Sequence, residues 1–144
     1  MIENDSVRLL REVDAGIKKG ITSIEDVIES TQAPELRRVL EHSREEHVHL
    51  QNEVEKLLDR YHDDGKEPDL MAKGMSWIKT NAKLAMEESD ATIADLMTDG
   101  CNMGVKSLRR YRNQYPAADA TTRSIADRLI QEEEHLIKEV QAYL

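Results

Sequence analysis

The chain has 144 residues, enough for one domain with its own core. Charged residues make up 34% and aromatic ones 3%, with no Phe, so the core must be built mostly from Ile, Leu, Val, Met and Ala. A net charge of −9 with no basic face argues against a nucleic-acid partner; the single cysteine excludes an intrachain disulfide or four-cysteine metal site; and no apolar run is long enough to span a bilayer. The acidic, polar start MIENDSVR is unlike a secretory signal, so the expected location is the cytoplasm.

The first element is an amphipathic helix expected over about Asn4 to Ser30. Val7, Leu10, Asp14, Ile17, Ile21, Ile24 and Ile28 recur every three or four residues, with Asp14 interrupting the stripe. Gly16 and Gly20 each weaken that helix by about 1 kcal/mol relative to Ala, but they let another helix approach closely. Thr31-Gln32-Ala33-Pro34 reads as a tight turn with Pro34 near the first position of the next helix. The second helix is expected from Pro34 to His62, with Leu36, Val39/Leu40, Ser43, Glu46, Leu50, Val54, Leu57 and Tyr61 inward.

Asp63-Asp64-Gly65-Lys66-Glu67-Pro68 is a break. Met71, Met75, Ile78, Ala82 and Ala85 then predict a connecting helix over about 70–87, with Trp77 at its edge. A third long helix is expected from Ser89 to Tyr115, with Ile93, Leu96, Asp99/Gly100, Met103/Gly104, Leu108 and Tyr111 inward, and Pro116 ends it. A fourth is expected from Ala117 to Leu144, capped by Asp119 or Thr121, with Ile125, Leu129, Glu132, Leu136, Val140 and Tyr143 inward. Lys18-Lys19 and Arg109-Arg110 read as helix surface, as do His42, His47, His62 and at least one of Glu133 and Glu134. Cys101 reads as a small core residue, and the methionines as packing.

One pattern occurs twice. Glu46-Xaa-Xaa-His49 follows Asp14 by 32 residues, and Glu132-Xaa-Xaa-His135 follows Asp99 by 33. Positions three apart on a helix face the same way, so each Glu and its His would point at one spot. Lone charges in a dry interior are very unfavourable, and four carboxylates would be neutralised by two divalent cations. Neutral imidazoles would complete an oxygen-rich site of the kind that suits iron or manganese.

On these residues the chain resembles the ferritin-like superfamily: bacterioferritins, rubrerythrins and small bacterial ferritin-like bundles. The resemblance implies an all-α, ferritin-like four-helix bundle, a single domain over residues 1–144. A long helix-containing crossover at about 63–88 would join helices 2 and 3. It implies a metal site of Asp14, Glu46, His49, Asp99, Glu132 and His135, the two Asp standing where the family places glutamates one methylene longer. Such a site would hold two Fe or Mn ions per chain and act on oxygen or peroxide, with an electron donor supplied in trans. Ferritin-like domains often dimerise, which makes the apolar connecting helix a candidate homodimer surface. The other function class is a metal-free helical bundle, a stress or interaction protein without enzymatic activity. Its signature would be Lys or Arg satisfying the central carboxylates, or those carboxylates lying outside.

Overall fold

The computed structural model describes residues 2–80 and 87–144. Those residues are all-α, with no strand among them. The long helices are α1 (Ile2–Ile28), α2 (Pro34–Arg60), α5 (Asp90–Gln114) and α6 (Ala120–Val140), the last running into a single 3-10 turn at Gln141–Tyr143. Each boundary has a local cause. Pro34 opens α2, its missing N–H being one that no helical carbonyl would have served. Ser89 caps α5 by accepting from the Thr92 N–H at 3.2 Å, and Asp119 caps α6 by accepting from the Thr122 N–H at 2.8 Å. The end of α2 closes on the Leu58 and Asp59 carbonyls, with His62 in the left-handed region at φ 54°.

The connecting helix expected over 70–87 is interrupted: the described residues place α3 at Asp69–Ala72 and α4 at Trp77–Thr80, and the expectation for 81–86 falls outside the described residues. Gly74 causes the break. Its φ of +75° turns the chain out of the helix, and the Gly74 and Met75 N–H groups bond back to the carbonyls of Met71 and Leu70.

Contacts between helix ends fix the directions. The amides of Ala117 and Asp119, in the α5–α6 turn, donate to Asp5 and Ser6 at the start of α1. At the opposite end the Asp90 carboxylate, at the start of α5, accepts from the Gln32 and Ala33 amides in the α1–α2 turn at 2.8 and 3.0 Å. The Tyr61 hydroxyl, just past α2, reaches Asp119 at the start of α6. So α1 and α6 run one way, α2 and α5 the other, and the crossover travels the length of the molecule. It climbs along α1: Lys66 meets Glu12 and Asp14, Met71 meets Thr22, and Ser76 donates to Asp26 at 2.7 Å.

The interior is two apolar clusters with a polar layer between them. Leu9, Leu10, Val13, Leu50, Val54 and Leu129 belong to one, and Ile24, Leu36, Leu40, Ile93, Leu96 and Leu136 to the other. Each such side chain contributes about 1.5–3 kcal/mol by leaving water. Between the clusters α1 offers Gly20, α2 offers Ser43 and His47, α5 offers Gly104 and α6 offers Glu133.

Candidate functional site

The polar layer is built by spacing. On α2 the buried positions are Leu36, Leu40, Ser43, His47, Leu50, Val54 and Leu58, and the alternation of four and three from Leu36 to Val54 carries His47 into the core. On α6, Thr122, Ala126, Leu129, Glu133, Leu136 and Val140 alternate in the same way and carry Glu133 inward. His47 was expected at the surface and is 1% exposed; Glu133, a candidate for a solvated face, is 7% exposed.

The two side chains meet. His47 Nε2 lies 3.1 Å from Glu133 Oε1, and its Nδ1 lies 2.8 Å from the Ser43 carbonyl oxygen. Both neighbours are acceptors, so the ring is fully satisfied only as an imidazolium donating from both nitrogens. Burial by itself would lower the His47 pKa. The hydrogen bond to Glu133, the negative charge there, the Ser43 carbonyl and nearby Glu132 outweigh that and hold it above the ordinary histidine value. The pair is therefore close to neutral overall. Glycines make room for it: a Cβ on Gly20 would stand 2.6 Å from His47 Nε2, and one on Gly104 would stand 3.2 Å from Glu133 Oε2.

The same layer forms the inner wall of a cavity of about 240 Å³ between α1 and α5, beneath the crossover. Ala15, Gly16, Gly20 and Ser23 of α1 and Gly100, Gly104 and Ser107 of α5 are small, which leaves the space open. Leu96, Met97, Leu129 and Leu136 give it apolar walls, and Trp77 of the crossover closes one side. Cys101 lines it as a buried thiol. Burial pushes the thiol pKa far up, and the Glu133 charge and hydrogen bond add to that. Lys19, expected on the surface, is half-buried in the lining, with its ammonium 5.7 Å from the Trp77 ring centre. Burial lowers its pKa, partly offset by the negative charge of Glu133.

The six residues read as metal ligands are placed differently. Asp14 is buried, but it faces the crossover: one of its oxygens accepts from the Lys66 amide at 3.0 Å and pairs with the Lys18 ammonium at 2.9 Å. Asp99, His49 and His135 are exposed, His135 lying 3.4 Å from Glu139. Glu46 is half-exposed, 4.0 Å from His42, and Glu132 is half-buried, accepting from the Ser43 hydroxyl at 3.2 Å. Glu46, Glu132 and His135 border one groove on the seam of α2 and α6, together with Arg128 and Gln131. Asp14, His49 and Asp99 do not line that groove. The six thus fail the fit for a two-metal centre, because they face different sides of the molecule and Asp14 already has a lysine and an amide as partners. Among the described residues no three His, Cys, Asp or Glu side chains converge in a way that could hold a metal ion.

The reason is a register choice. Glu46 and His47 fit the Ser43-to-Leu50 interval equally well, as do Glu132 and Glu133 between Leu129 and Leu136. Packing against the neighbouring helices decides between them: Leu40, His47 and Val54 form one buried series, and Ala126, Glu133 and Val140 another. One position earlier, Val39 and Ile125 still pack on the core, but Glu46, Glu53 and Glu132 are only partly buried and Glu139 is exposed.

No family model, curated protein or solved structure matches the chain.

Proposed function

We propose that this chain is a metal-independent four-helix bundle of ferritin-like layout that binds a small molecule in the cavity between α1 and α5. The layout rests on the order of helix directions and on a crossover that travels the length of the molecule between the second and third long helices. The binding role rests on one observation above all: a cavity of about 240 Å³ reaches the core where His47 and Glu133 stand, with apolar walls and a few convergent polar groups. Apolar walls supply affinity for such ligands, and a small number of fixed polar groups supply orientation. The volume exceeds that of an engineered apolar cavity of roughly 150 Å³ that takes benzene, so one substituted or fused ring is the right size.

What weighs against a di-iron or di-manganese centre is that Asp14, His49 and Asp99 stand away from the groove that Glu46, Glu132 and His135 border. What supports the metal-free reading is that Lys18 pairs with Asp14 at 2.9 Å and that Asp99 is exposed. Elemental analysis and thermal melts test the choice together. Purified protein is expected to carry well under one transition metal per chain and to melt at the same temperature with or without Fe(II) or Mn(II). Small aromatic fragments are expected to raise the melting temperature and change Trp77 fluorescence. Two metals per chain, lost on changing Glu46 and Glu132 to Gln, would overturn the proposal.

A further inference from the structure

The carboxylate, ammonium and imidazole side chains that line the cavity are those of Glu12, Lys19, His47, Lys66, Asp69 and Glu133. Lys66 is paired with Glu12 at 2.6 Å, and Asp69 is exposed. Glu133 is paired with His47. Lys19 differs, because no carboxylate among the described residues lies within ion-pair distance of its ammonium. Its ammonium sits near the Trp77 ring, half-buried, on the wall of a space large enough for a guest. A half-buried ammonium with no carboxylate beside it has lost part of its hydration, and a bound anion would compensate for that loss.

We infer that the occupant of this cavity is a small aromatic monocarboxylate, its carboxylate on the Lys19 ammonium and its ring against Trp77, Met97 and Leu129. The inference rests on the cavity reading above and adds the ligand's charge and class to it. A cationic guest would place like charge beside Lys19, where Glu133 is already paired with His47, Glu12 with Lys66, and Asp69 is exposed to water. A neutral guest would leave Lys19 as it is. A dianion would bring a second negative charge into a lining that already holds Glu12, Asp69 and Glu133. One carboxylate is the charge that matches.

Isosteric probes separate the parts of this statement. Titrations of the protein with 1-naphthylacetate and with 1-naphthylacetamide, read by Trp77 fluorescence and calorimetry, compare a carboxylate with an uncharged group of the same shape. The acid is expected to bind at least about tenfold more tightly, the effect of one charge-assisted contact. In Lys19→Met the acid is expected to lose that advantage while the amide still binds. Lys19→Gln serves as a second variant, with circular dichroism confirming that each is folded. Equal binding of acid and amide by the unaltered protein, or a preference that survives loss of Lys19, would overturn the monocarboxylate inference and leave the cavity reading standing. Binding of neither probe would overturn both.

Discussion

His47 and Glu133 lie 86 residues apart in the chain and 3.1 Å apart in the core, between two apolar clusters that neither belongs to. A buried ion pair is a weak source of stability by itself, since desolvation cancels much of the attraction. Breaking one is different, because the remaining charge keeps its desolvation cost and loses its partner. His47→Leu is therefore expected to cost about 3–5 kcal/mol, with Glu133→Leu costing less because an imidazole can give up its proton. The double variant His47→Leu/Glu133→Leu should recover most of the loss. Urea unfolding of the four proteins in a double-mutant cycle measures this, and strictly additive losses would contradict the pairing.

The pair also sets a pH dependence. The folded pKa of His47 lies above its unfolded value of about 6.5, so its contribution is complete below that pH and is lost as pH rises through the folded value. Glu132 acts in the same direction, because burial, opposed by His47, Ser43 and His135, raises its pKa and favours the protonated form in the folded state. The urea midpoint is expected to fall as pH is raised above about 6.5. In the His47→Leu/Glu133→Leu variant the part of the fall that His47 causes should vanish. An unchanged slope in that variant would remove His47 as its source.

Two glycines on α1 should respond oppositely to the same change. Gly20→Ala puts a methyl 2.6 Å from an imidazole held at both nitrogens, so overpacking of about 1–3 kcal/mol outweighs the gain of about 1 kcal/mol in helix propensity. Gly16→Ala places its methyl 3.5 Å from Leu129, an ordinary contact, and should stabilise by about 0.5–1 kcal/mol. Thermal melts of both variants should move in opposite directions.

Cys101 is 3% exposed, and burial together with the Glu133 charge keeps it as a thiol. Since the thiolate is the reactive species, a thiol reagent should modify the folded protein at least about a hundredfold more slowly than the protein in urea. Rapid modification at neutral pH without denaturant would place the side chain nearer to solvent than the structure does.

Much of the fold was legible in the residues. The 3.6-residue periodicity, the break at Pro116 and the turn before Pro34 located all four long helices to within a few residues, since apolar stripes and caps are local properties of the chain. The break in the connecting segment is not legible, because Met71, Met75 and Ile78 keep helical spacing while Gly74 takes a left-handed conformation that spacing does not reveal. The polar layer was not legible for another reason. A helix alone cannot say whether Glu46 or His47 faces inward when the two positions fit the same interval.

The sequence by itself determined that the chain is helical, that its helices are amphipathic and that each long helix carries polar or small residues near its middle. Local backbone preference and hydrophobic period suffice for that. Which polar side chains are buried, and which partners they have, was decided by tertiary packing. A rotation of about 100° per residue moves Glu46 outward as it brings His47 inward, and only the neighbouring helices select between those rotations. The opening between α1 and α5 arises in the same way: small residues on two helices distant in sequence become one cavity only when the crossover lies across them.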